Sequence, residues 1–335
     1  MEKKLRRPSS VDVARVAGVS RATVSAYINR TRYVSPELSE RIERAIKRLD
    51  YVPDPLARAL KMKDTKTIGL VIPVMSRFFT PIINATNEIA HDNHYGFLLC
   101  SSEEDPEREK EVLDVFLSKR ISGILLVPCS LANREFLASV KKNGTPIVQI
   151  NRKIEGLDAD AVTSDNFRAA YAAAEHLIDR GRRNLVFLGY DDRTLSGDQK
   201  KAGFETAVSD HAINSAHVIG VRDHDREDIG RAFREFIVRG NPMDGLICST
   251  QGKTEVGLMV LKERGRRIPH DVSVICFDDT PWASLFSPPL AAISENTKEM
   301  GTIAVKLLLD HIEGDRQASA RDIVLESEFI VRNST

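Results

Sequence analysis

Long apolar runs are missing from this 335-residue chain. No uninterrupted stretch approaches the roughly 18 residues that a membrane-crossing helix needs, so no transmembrane segment is expected. The opening "MEKKLRRPSS" is basic, but no apolar run follows it, which argues against a secretory signal peptide. There are four cysteines, Cys100, Cys129, Cys248 and Cys276, far apart and without a C-x-x-C pair. That spacing argues against a disulfide framework or a zinc module and reads as buried thiols of a cytoplasmic protein. The eight histidines include no H-E-x-x-H spacing, so no metal site is expected. G-x-S-x-G, Walker A and G-x-G-x-x-G motifs are also absent, and no cofactor is expected. Adjacent acids such as Asp278 and Asp279 fall in predicted loops, where carboxylates are usually solvated or cap helices. Enzymatic chemistry is therefore not expected.

The composition, 42% hydrophobic and 29% charged, is that of a folded chain with room for more than one domain. A net charge of zero hides an asymmetry. Residues 1–66 hold sixteen Lys and Arg against eight Asp and Glu, and the remainder carries the compensating acidic excess. The basic end is where a polyanion would bind.

Three short helical patterns open the chain. The first covers about Val11 to Ala17, with Val13, Val16 and Ala17 on one face. The second runs from a Ser20 N-cap to Asn29 with Val24, Tyr27 and Ile28 available to pack. Gly18 sits between them, where a tight turn calls for positive φ. The third opens with Ser35 as N-cap and Pro36 at the first helical position, and Leu38, Ile42, Ala45, Ile46 and Leu49 recur at helical spacing. In a helix-turn-helix reading, Arg21, Ala22 and Ala26 face base edges while Ser20, Thr23 and Asn29 reach phosphates. A plain structural hairpin is the alternative. The segment "DPLARAL" is a further helix of about two turns, too short to be stable alone.

From Thr67 the texture changes. Apolar runs "TIGLVIP", "FLLC", "GILLVP", "PIVQIN", "NLVFLG", "HVIGV", "GLICS" and "VSVICFDD" alternate with amphipathic helices such as "REKEVLDVFLSKR" and "FRAAYAAAEHLIDRG". These are βα units of parallel sheets buried on both faces, too many for one sheet. Val162 to Asn166 marks a junction between two similar halves. Two α/β lobes with a cleft beyond the strands' carboxyl ends are expected.

"VDVARVAGVSRATVSAYIN", "YVSPELSERIERAIKRLDYVPDPLARAL", "TKTIGLVIP", "HLIDRGRRNLVFLG" and "RIPHDVSVICFDDTPWASLFSPPLAAI" together resemble the lactose/galactose-repressor (LacI/GalR) family of bacterial transcription regulators in order and spacing. The resemblance implies a small all-α helix-turn-helix headpiece at 1–52 and a hinge helix and linker at 53–66. It also implies a two-lobed α/β core at 67–335 with parallel sheets, like a type I periplasmic binding protein. The first lobe would take about 67–165 and 296–323, the second about 166–295 and 324–335. A homodimer would bind double-stranded operator DNA, with Ser10 and Arg58 as further DNA contacts and Leu60 wedged into the minor groove. A sugar-like effector would lie between the lobes against Ser76, Phe78, Phe79, Asn151, Arg152, Lys200, Gln251, Asp278, Trp282 and Glu295. The chain departs from the family pattern at several of these positions: Lys200 stands where arginine is usual, Glu295 where glutamine is, Asn151 where aspartate is common, and Ala26 where arginine is frequent. The rival function is a cytoplasmic sugar receptor without specific DNA binding.

Overall fold

The computed structural model describes residues 8–29, 32–51, 65–190, 195–221, 226–314 and 319–335. The chain divides into two units, residues 1–65 and 66–335. Among the expected site residues, Arg58, Leu60 and the side chain of Asn29 lie outside what is described.

In the first unit each helix starts at a side-chain cap. Helix α1 (Ser10–Ala17) begins one residue earlier than its apolar period suggests, because Ser9 and Asp12 form a reciprocal capping box. Ser20 Oγ accepts the Thr23 amide at 3.1 Å at the start of α2 (Arg21–Asn29). Ser35 accepts from Leu38 ahead of α3 (Pro36–Leu49). Helix α1 ends at Gly18, whose φ of 64° only glycine adopts at little cost. Val13, Ala14, Ala17, Val24, Ile42 and Ala45 close the core. Val16, expected on that inner face, is instead 42% exposed, and Ala14 takes its place.

The second unit holds two six-stranded sheets of equivalent order. The first comprises β1 (Thr67–Ile72), β2 (Gly96–Ser101), β3 (Gly123–Leu126), β4 (Ile147–Ile150), β5 (Asp160–Ser164) and β11 (Asp322–Leu325), ordered β11-β5-β4-β3-β1-β2. The second comprises β6 (Asn184–Tyr190), β7 (Ser215–Val221), β8 (Gly245–Cys248), β9 (Ser273–Phe277), β10 (Ala291–Ser294) and β12 (Glu328–Ile330), ordered β12-β10-β9-β8-β6-β7. All eight apolar runs are strands. Only the β10–β12 pairing is antiparallel among the described pairs.

Helices cover both faces of each sheet, which is why β3, β4, β8 and β9 are buried along their whole length. In the first lobe, α4 (Thr80–Asp92) and α12 (Thr297–Glu313) pack on one face; α5 (Pro106–Ser118) and α6 (Arg134–Lys142) contribute Leu113, Phe116, Leu137 and Val140 to the other. In the second lobe, α7 (Asn166–Asp179) and α8 (Leu195–Asp210) cover one face, α9 (Arg226–Val238) and α10 (Gln251–Glu263) the other. A fully buried side chain such as Phe116, Phe187 or Phe233 contributes about 1.5–3 kcal/mol.

The chain passes between the lobes three times, after β5, after β10 and after β11. The last crossing corrects an expected boundary: β11 pairs with β5 through Leu325, so the change of lobe falls beyond 325 rather than at 323. Cys129, Cys248 and Cys276 are buried and Cys100 half-buried, all as free thiols. Burial pushes the Cys276 thiol up to about 12. Among the described residues no cluster of His, Cys, Asp and Glu is placed to hold a metal ion, and no helix is long and apolar enough to cross a membrane.

Candidate functional site

Two surfaces gather the residues singled out in the sequence. On the first unit, Ser20, Arg21 and Ala22 are exposed at the start of α2, Thr23 is half-exposed beside them, and Ser10 is half-buried at the start of α1. Ser20 and Thr23 also bond to each other, Oγ to Oγ1 at 2.8 Å, which fixes both hydroxyls on the exposed end of the helix. Ala26 does not join them. At 3% exposure its methyl is unavailable, so Ala26 is withdrawn as a base contact. Arg41 on α3 braces the turn from behind, its Nε donating to Ala17 O and its Nη2 to Gly18 O, each at 3.1 Å. A Cβ at position 18 would lie 2.6 Å from Arg41 Nη2, a side-chain end that can swing aside, so it is the φ of 64° that calls for glycine here.

The second surface is a cleft of 510 Å³ in the two-lobed unit, lined from both sheets at the strands' carboxyl ends. Ser76, Phe78, Phe79, Asn151, Arg152, Lys200, Gln251 and Asp278 all line it. Phe78 and Phe79 meet edge to face with centroids 5.0 Å apart in the turn after β1. Asn151 and Asp278 occupy equivalent corners. Each follows the fourth strand of its sheet, has positive φ (63° and 72°), and donates its amide to the neighbouring strand, Asn151 to Val162 O and Asp278 to Ile293 O. The left-handed turn lifts each side chain off the sheet edge at the cleft.

Asp278 accepts the Gln251 amide at 3.0 Å, the N-terminus of α10 resting on its carboxylate. Burial pushes the Asp278 carboxyl up to about 6; the Lys200 ammonium opposes the shift and Glu295 reinforces it. The cations are mostly paired. Arg152 forks onto Glu104 at 2.7 and 2.8 Å, Arg226 meets Glu255 at 2.7 Å, and Lys200 meets Glu295 at 3.0 Å while lying 4.2 Å over the Phe277 ring. At the end of β8 the Ser249 hydroxyl is buried in the lining without a hydrogen-bond partner among the described residues.

Two expected cleft residues lie elsewhere. Trp282 is turned away by the short helix α11 (Pro281–Leu285) and lines a separate pocket with Leu258, Met259 and Phe286. Glu295 sits below the cleft floor rather than on it, its side chain 1% exposed. Conversely, Glu104, Ser196, Arg226, Ser249, Thr250 and Glu255 line the cleft without having been singled out. Most lie just beyond a strand or at the start of the next helix, so their common signal is the rule that ligands sit outside the carboxyl ends of parallel strands.

A helix-turn-helix unit joined to a cleft-bearing pair of α/β lobes defines a DNA-binding regulator that responds to a small molecule. Residues 11–54 match the model for bacterial regulatory proteins of the lacI family, and residues 174–335 match that of the periplasmic binding protein-like domain. The chain is 30% identical over 328 residues to the HTH-type transcriptional repressor PurR of Mannheimia succiniciproducens, covering 96% of this chain and 97% of that protein. The chain belongs to the LacI family of bacterial regulatory proteins. The transcriptional regulator CelR in complex with cellobiose has the same architecture at 25% identity, with a TM-score of 0.72 over 98% of this chain and all of that one. The Lac repressor dimer bound to operator and the anti-inducer ONPF shares the fold at 21% identity, with a TM-score of 0.84 over 98% of this chain and 99% of that one. Its relatives are regulators rather than enzymes.

Proposed function

We propose that this regulator is a cytoplasmic repressor that binds a palindromic operator as a homodimer and is controlled by a neutral, polyhydroxylated effector held in the cleft. The observation that carries the effector class is the charge pairing there. Three of the four cations lining the cleft, Arg152, Lys200 and Arg226, already face a carboxylate, so a phosphorylated or carboxylated ligand would have to displace one of these partners or rely on Arg77 alone. A neutral sugar needs no such displacement. Its hydroxyls would donate to Asp278, exchange bonds with Asn151 and Ser249, and leave an apolar ring face for Phe78 and Phe79. The cellobiose in the CelR complex supports this class of ligand.

On the DNA side, Arg21 is the base-contacting candidate and Ser20 and Thr23 the phosphate anchors, with Ser10 and Asn29 as further backbone contacts. Arg58 and Leu60 are assigned to a hinge that opens the central base step. The PurR relative and the operator-bound Lac repressor dimer support the repressor and dimer assignments.

The test is in vitro selection of the full chain on random double-stranded DNA, followed by titration of the selected site with saccharides and their phosphate esters. Expected are a palindromic consensus, occupancy that a neutral saccharide changes, and indifference to the corresponding phosphate. A phosphate ester more potent than its parent sugar would overturn the neutral-effector reading. Uniform affinity for all sequences would favour the receptor without specific DNA binding.

A further inference from the structure

Glu295 is the only residue below the cleft floor, among those described here, that bonds to polar groups lining the cleft from both lobes. It follows β10 at the second crossing, and its carboxylate collects three donors. Oε2 accepts from Ser164 Oγ at 2.8 Å and from Asn151 Nδ2 at 3.3 Å, both at strand ends of the first sheet. Oε1 accepts from Lys200 Nζ at 3.0 Å, on α8 of the second lobe. Asn151 and Lys200 also line the cleft, one from each lobe. In so buried a place each of these bonds is strong when made and costly to lose. The geometry points to Glu295 as a cross-lobe clamp: its two oxygens set the position of one lobe against the other, and an effector that engages Lys200 or Asn151 draws on the same carboxylate and so shifts the lobes. This rests on the cleft being the effector site.

The clamp depends on having two acceptor oxygens. Glutamine has the same shape but one acceptor and one two-hydrogen donor. In Glu295→Gln the amide oxygen either keeps Ser164 and Asn151 while the NH₂ faces the Lys200 ammonium, or keeps Lys200 and turns its NH₂ on the first lobe. Either orientation weakens the clamp: the first sets the NH₂ against a buried ammonium, and the second takes the charge out of the Lys200 bond and forces the Ser164 hydroxyl and the Asn151 amide to turn their oxygens to the NH₂. Removing the ammonium as well, in K200M/E295Q, lets the oxygen return to Ser164 and Asn151. Loss of packing alone predicts no such rescue.

The experiment is amide hydrogen exchange on the full chain with no small molecule present, read at the crossings 162–168 and 292–298. In E295Q both are expected to exchange at least about tenfold faster than in the wild type, and in K200M/E295Q, where the first-lobe arm re-forms but the Lys200 arm stays absent, part of that protection returns. Wild-type exchange in E295Q, or a double variant as fast as E295Q, would overturn the clamp. Should E295Q fail to fold, Ser164→Ala removes the shorter of the two first-lobe bonds and leaves the Asn151 bond and the ion pair; it is expected to exchange a few-fold faster at the same crossings, roughly the loss of one hydrogen bond, and no change there overturns the proposal. Because no effector enters this measurement, a cleft that binds no saccharide would defeat the functional reading and leave the exchange result standing.

Discussion

The two lobes share one plan and differ in what they place on it. Strand order is equivalent from one sheet to the other, and the corner after the fourth strand turns left-handed in both. In the first lobe that corner carries the neutral amide of Asn151, with Phe78 and Phe79 nearby; in the second it carries the ionisable Asp278 on the N-terminus of α10. The same contrast holds in the helix pairs that cover each sheet. A glycine permits close approach in both, but Gly203 on α8 faces the Phe167 carbonyl, whereas in the first lobe it is the crossing helix α12 that supplies Gly301, against Ile82. Repeated backbone geometry thus fixes where groups stand, and single substitutions within it decide what they bind.

The sharpest way to break this equivalence is to close one helix gap. A Cβ at Gly203 would lie 2.2 Å from a backbone oxygen that cannot step aside, so Gly203→Ala is expected to cost about 3 kcal/mol in calorimetric unfolding. Gly301→Ala is the milder of the two helix closures: its Cβ would stand 2.9 Å from Ile82 Cα and 3.0 Å from Ile82 O, so the helix backbones must move apart, at an expected cost of about 2 kcal/mol in calorimetric unfolding. Making the two corners alike is next. Asp278→Asn removes the charged acceptor and is expected to weaken binding of the effector roughly ten- to hundredfold in titration calorimetry. The pH profile should give about as much again as the lower end of that range. With its carboxyl raised to about 6, Asp278 takes up a proton as pH falls through 6 and ceases to be a full acceptor. Effector affinity should therefore drop roughly tenfold between pH 7 and pH 5, and D278N should abolish that dependence. In the free protein the sign reverses. The folded state holds this proton more tightly than the unfolded chain, so the group's contribution to stability declines as pH rises from the usual carboxylate range to about 6.

Much of this was legible in the residues. The eight apolar strands announced themselves because both faces are covered, and Asp278 was readable as an acid at the end of such a run. Strands β5, β10, β11 and β12 were not; the last two are only three or four residues long and bury none of their positions fully. Ala26 misled because a helix turns it roughly 200° from Val24, so nothing in the period predicts burial of both. Trp282 misled because proximity in sequence to Asp278 says nothing about the intervening Pro281, which starts a helix leading elsewhere. Arg226 and Glu255 come from separate helices, and only the folded chain shows that they meet. Glu295 was noticed as a departure from its family, but its reach to Ser164 and Asn151 spans more than a hundred residues of chain.

The late strands also impose an order on synthesis. The first sheet waits for β11, and the second for β12 and for Ser334, whose hydroxyl donates to Val274 O and accepts from the Ala291 amide. A ribosome making this chain therefore releases the capped helices before residue 51 as a finished unit, while neither lobe can close its sheet until residues 322–334 have emerged. For most of its synthesis the nascent polypeptide holds a folded helix-turn-helix and no complete receptor for the signal meant to govern it.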